Sequence, residues 1–148
     1  MSHPYTSDDF AGALDAQQCQ EVVIRFMALF DAGDFAAMEQ HFVQALVWQR
    51  PEGSVKGVQQ FREVMAKRDP KMQVRHVITN QLCEKVGDNR MVVSSYFTVY
   101  RHLPATAGTL PAPLNGPASV GRYRDELVRE GGNWKICNKE TRLDFKAA

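Results

Sequence analysis

Gly121-Arg122-Tyr123-Arg124-Asp125-Glu126-Leu127-Val128-Arg129-Glu130-Gly131-Gly132-Asn133-Trp134-Lys135-Ile136 reads as a strand, a two-glycine turn and a second strand. Apolar and polar residues alternate on either side of Gly131-Gly132, and adjacent glycines supply the backbone freedom a tight hairpin needs. Working outward, the whole second half has this character. Met72 to Val86, Arg90 to His102, Val120 to Arg129 and Asn133 to Phe145 are four long β-rich segments, with Gly87-Asp88-Asn89 making another tight turn.

The first half is helical. From about Asp15 to Phe30, Cys19, Val22, Val23, Phe26, Met27 and Phe30 recur at spacings of three and four. Gly33 stops that helix, and Asp34 N-caps a second that is expected from Phe35 to about Val43. Leu46 to Gln49 and Ser54 to Lys56 flank Pro51-Glu52-Gly53 as a pair of short strands, and a third helix is expected from Gly57 to about Lys67. Helices first and antiparallel strands afterwards define an α+β domain. The chain is expected to form one domain over residues 1–148, with an arm at 1–14 and a Pro/Gly-rich loop at 103–121 that serves as a lid or an oligomer contact.

Composition excludes several classes of function. With 44% hydrophobic residues, a net charge of +1 and scattered cations, neither a nucleic-acid partner nor a membrane partner is expected. The opening Met1-Ser2-His3-Pro4 is not a secretory signal, which implies a cytoplasmic protein. Cys19, Cys83 and Cys137 form no Cys-x-x-Cys pair, and the four histidines lack helical metal spacing. No metal site and no cofactor are expected.

Within Val74-Arg75-His76-Val77-Ile78-Thr79-Asn80-Gln81-Leu82, alternation places Val74, His76, Ile78, Asn80 and Leu82 on one largely apolar face. A histidine there is either tied to a partner or poised for proton transfer. Val77, Thr79, Gln81 and Cys83 would form the other, outer face.

Arg75-His76-x-x-x-Asn80, the glycine opening the third helix, and the closing Tyr123-x-Asp125-Glu126-Leu127-Val128-Arg129 with Gly132-x-Trp134-Lys135-Ile136 resemble the SnoaL-like branch of the nuclear transport factor 2 superfamily, over about residues 15–145. The resemblance implies three helices packed on a strongly curved mixed or antiparallel sheet, a cone with an internal pocket, and a homodimer or homotrimer. In dehydratase and dehydrochlorinase members, an acid near the end of the first helix pairs with a strand histidine, and Asp31 and His76 occupy those positions. Asp31 lies four residues after Met27 and seven after Ile24, so it continues an inward stripe, and it sits on the helix end that disfavours an anion by about 0.3–1 kcal/mol. An imidazole partner would compensate. The pair would act as general base and orienter in a lyase or isomerase reaction on a small hydrophobic or cyclic metabolite.

For substrate binding the candidates are Tyr96 and Tyr100, which alternate away from Met91, Val93, Ser95, Phe97 and Val99, together with Asn80 and Trp48. The resemblance adds Lys139 and Arg142, which strand alternation puts on opposite faces unless a bulge intervenes. Two further readings stay open. One is a non-catalytic subunit like the small subunits of ring-hydroxylating dioxygenases, which share the Arg-His-x-x-x-Asn strand and a motif like Arg142-Leu143-Asp144. The other is a ligand-binding protein without turnover.

Overall fold

The computed structural model describes residues 7–104 and 110–148. In chain order they form α1 (Ser7–Ala32), α2 (Phe35–Met38), one 3-10 turn (Glu39–His41), β1 (Phe42–Arg50), β2 (Gly53–Lys56), α3 (Gly57–Ala66), β3 (Gln73–Gly87), β4 (Arg90–His102), β5 (Ser119–Glu130) and β6 (Asn133–Lys146). The six strands form one mixed sheet in the order β2-β1-β6-β5-β4-β3, which does not close on itself. Only the β1–β6 pairing is parallel. Helix α1 lies against β3, β4 and β6, and buries Cys19, Val23, Phe26 and Met27 against Trp48, Phe97, Leu127 and Ile136.

The β5–β6 hairpin turns at Gly131 and Gly132, whose φ values of 59° and 82° are the two positive values a type I′ turn requires. Asp34 caps α2 by accepting a hydrogen bond from the Ala37 amide at 3.1 Å. Two boundaries differ from expectation. Helix α1 begins at Ser7, so residues 7–14 of the expected arm are helical, while residues 1–6 lie outside the described residues. Its first turns expose Phe10 and Leu14, so no apolar stripe announces them, and Asp8 and Asp9 suit the positive end of the helix. Helix α2 ends at Met38 rather than near Val43, because pairing of Phe42 with Ile136 draws the following residues into β1.

Two bulges determine which side chains face inward. Between Thr79 and Leu82 strand β3 carries one more residue than its partner, and Asn80 there has a φ of 53°. The alternation therefore changes phase: Asn80 and Leu82 point outward, while Gln81 and Cys83 turn toward α1, correcting the expected faces. On β6 the pairing shifts between Leu127–Ile136 and Glu126–Asn138, leaving Cys137 as the extra residue. Burial passes from Trp134 and Ile136 before the bulge to Lys139 after it.

Gly121 sits where β5 lies close against the backbone of β6 and the Phe97 ring of β4. A Cβ there would lie 2.1 Å from the Arg142 carbonyl oxygen and 2.7 Å from the Phe97 ring. The first obstacle is backbone and cannot rotate away. Gly121→Ala is expected to cost about 3 kcal/mol, lowering Tm by roughly 10 °C. A melt within a few degrees of the parent would show that β5 can slide away from β6.

Candidate active site

His76 and Asp31 meet through two bonds. The Asp31 Oδ1 lies 2.5 Å from His76 Nδ1, and Oδ2 accepts the His76 backbone N–H at 2.7 Å. Both side chains are buried, 8% and 9% exposed. Asp31 occupies the last turn of α1, which holds no basic residue, so its carboxylate finds its donors across the sheet instead. It follows Met27 on the buried stripe. Ile24, which the sequence placed on that stripe, is 45% exposed. With a carboxylate against Nδ1, that nitrogen carries the proton and Nε2 is left as a base. Among the described residues, no protein group bonds Nε2. The Phe30 ring stands edge-on to the imidazole at 5.5 Å and fixes its plane.

His76 lines a cavity of about 300 Å³ between the inner face of the sheet, α1 and α3. Its body is apolar, with Met27, Phe30, Trp48, Phe97 and Val99 in the walls. Trp48 is buried there and donates through its indole nitrogen to Thr141 Oγ1 at 3.2 Å. Arg68 lies over the Phe30 ring at 4.5 Å and donates to the Phe30 carbonyl. Burial pulls its guanidinium below the ordinary range, against the opposing pull of Asp31.

The SnoaL-like domain family matches residues 12–140. The chain belongs to that family. Among solved structures, this SnoaL-like domain is similar to a scytalone dehydratase-like protein of Novosphingobium aromaticivorans, at 16% identity and a TM-score of 0.74, covering 92% of this chain and 88% of that one. A type 2 hexachlorocyclohexane dehydrochlorinase superposes with a TM-score of 0.75 at 13% identity, covering 94% and 91%. ActVI-ORFA of Streptomyces coelicolor gives 0.70 at 18%, covering 86% and 96%. At such identities the likeness is one of fold, that of nuclear transport factor 2-like proteins. No curated protein matches the chain.

Of the residues expected to bind substrate, the SnoaL-like domain brings only Trp48 to the His76 cavity. Tyr96 is 52% exposed on the outer face, where it, Asn80 and Arg142 line a separate open groove. Inward facing on β4 belongs to Met91, Val93, Ser95, Phe97 and Val99, which packs them on α1 and leaves the alternate residues outside. Tyr100 follows that outer alternation into a second groove, lined also by Asp31, Arg75, and Leu110 and residues 112–116 of the Pro/Gly-rich loop. The part of that loop at 105–109 lies outside the described residues. Arg142 is exposed and holds Glu140 at 2.7 Å.

Lys139 does point inward, but its Nζ is bound by Asp125 at 3.0 and 3.1 Å, both side chains fully buried, and so it is not free to hold a substrate.

Sequence reasoning missed Tyr123. It lines the cavity, stacks on Phe97 at 4.2 Å, and receives the Lys139 ammonium over its ring at 3.7 Å. Burial pushes its phenol well above the ordinary range, with Asp125 adding to the effect, so it stays a proton donor. The available signal was its place between Gly121 and Asp125 on the face that continues to Leu127. Among the described residues, no three His, Cys, Asp or Glu side chains converge as metal ligands, and no helix is long and apolar enough to cross a membrane.

Proposed function

We propose that this SnoaL-like protein is a cofactor-independent lyase or isomerase that takes a proton from a small hydrophobic or cyclic metabolite. The observation that carries this reading is the Asp31–His76 pair on the wall of an apolar cavity. His76 Nε2 accepts the proton, Asp31 stabilises the imidazolium that forms, and Tyr123 donates to the oxygen that gains electron density. In elimination the electron pair of the broken C–H bond forms the new double bond as the leaving group departs. In isomerisation the proton returns from His76 to a neighbouring carbon.

The direct test works whichever metabolite is the natural substrate. A panel of cyclic ketones and β-hydroxy carbonyl compounds is incubated with the protein in D₂O and followed by NMR for deuterium uptake or elimination. At least one member should react, and His76→Gln should lower the rate about 100- to 10,000-fold. Tight binding of panel members with neither exchange nor elimination would favour a ligand-binding protein without turnover.

A further inference from the structure

The rim of the His76 cavity carries Arg50, Lys67, Arg68 and Arg101 and a single carboxylate, Glu52. Among the described residues none of these four cations is in an ion pair. Elsewhere on the molecule the arginines behave differently. Apart from Arg75, which donates to the Val74 carbonyl, each of the others holds a carboxylate. Residues 1–6 and 105–109 contain no Asp or Glu that could serve the rim. The unpaired guanidinium groups are therefore concentrated at one cavity.

Arg50 is the most informative of them. It ends β1, two residues after Trp48, and its guanidinium carbon stands 5.3 Å from the Trp48 ring centroid in the cavity wall. Its Nε is shielded from solvent and has no hydrogen-bond partner. An anion in the cavity would therefore meet Arg50 through its terminal nitrogens, for which no carboxylate among the described residues competes. Arg68 is already committed to Phe30, whereas Arg50 and Arg101 retain their forks. The planar guanidinium fork matches a carboxylate in a two-bond geometry. A cavity of about 300 Å³ is at the small end of ligand sites, which limits the apolar part to about one ring.

We propose that the cavity takes a single-ring or branched hydrophobic carboxylate, its anionic end held at the rim by Arg50 with Arg101 beside it and its apolar body against Trp48 and Phe97. Only the further placement of a reacting carbon beside His76 rests on the proposed lyase or isomerase activity. Charge selection by the rim stands apart from turnover.

Calorimetric titration at low salt with cinnamate, its neutral isostere cinnamamide and phenyl phosphate separates the two claims. Cinnamate should bind about 10- to 100-fold more tightly than cinnamamide, the range of one or two charge-assisted hydrogen bonds. Arg50→Gln should bring that ratio close to one, Arg101→Gln should lower it less, and His76→Gln should leave it unchanged, with folding of each variant verified by its melt. If Arg50→Gln does not fold, added NaCl decides, since it has to weaken cinnamate and leave cinnamamide unaffected. Equal affinity of the two probes, no binding of either at millimolar concentration, tighter binding of phenyl phosphate, or an unchanged ratio in folded Arg50→Gln would overturn the proposal. Absence of turnover by the parent protein across the panel, with the cinnamate preference intact, would count against the proposed reaction alone.

Discussion

Asp31→Asn is expected to lower turnover by about 100- to 10,000-fold while leaving the protein folded. The carboxylate uses one oxygen for the imidazole and the other for the His76 backbone N–H, and an amide has only one oxygen to offer. If that oxygen keeps the backbone N–H, the amide nitrogen faces Nδ1 and donates to it. The imidazole must then carry its proton on Nε2, where the base is needed, and the reaction is blocked by the wrong tautomer. If the amide turns the other way, two N–H groups face each other at the strand backbone. Nitrogen NMR of the imidazole distinguishes these outcomes: the parent should show a protonated Nδ1 and the variant a protonated Nε2. Unchanged turnover in Asp31→Asn would remove Asp31 from the mechanism. Asp31→Ala should also destabilise, by about 1–3 kcal/mol, because it leaves a buried donor without an acceptor.

That contact was legible because the resemblance to dehydratase and dehydrochlorinase members pairs the positions of Asp31 and His76, and the sequence agreed with it. Asp31 lies four residues after the inward Met27 at the helix end where an anion is disfavoured, and His76 stands on an alternating strand four positions before Asn80. The order of elements and the α+β class were equally legible, since periodicities of about 3.6 and 2 separate along the chain. What could not be read was the phase of the strands beyond a bulge. Asn80 and Leu82 were expected inward because alternation was counted straight through residue 80, where the positive φ of Asn80 inserts one step. The placement of Tyr96 and Tyr100 outside the His76 cavity could not be read for a related reason. Both faces of β4 look plausible from sequence, and only the packing of Phe97 and Val99 on α1 decides between them. The unpaired arginines had no signal in the sequence at all, because whether a guanidinium finds a carboxylate depends on residues far apart in the chain.

Lys139→Met is expected to cost about 3–5 kcal/mol, because it strands the Asp125 carboxylate in the core without its cation. Tm should fall by roughly 10 °C. The pair arises from the bulge at Cys137. Counted from the Gly131-Gly132 turn without it, Asp125 would face Asn138, and the extra residue brings Lys139 opposite instead. Both groups resist their charges in place. Burial raises Asp125 above the ordinary carboxylate range against the pull of Lys139, and burial lowers Lys139 below the ordinary ammonium range against the pull of Asp125. The sign of each shift sets its pH window. With a raised folded pKa, Asp125 favours the folded state below the unfolded carboxylate range, and that contribution is lost as pH rises through the folded value. With a lowered folded pKa, Lys139 contributes above the unfolded ammonium range and loses that contribution as pH falls. Burial opposes both charges, so replacing both partners by apolar residues should do what replacing one cannot. Asp125→Val with Lys139→Met is expected to melt at or above the parent temperature. In Lys139→Met alone the folded pKa of Asp125 rises further, so the deficit relative to the parent should be largest at pH 7 and shrink toward pH 4. A deficit that stays constant over that range would mean that the cost comes from the lost packing of Lys139 on Tyr123 rather than from the stranded carboxylate.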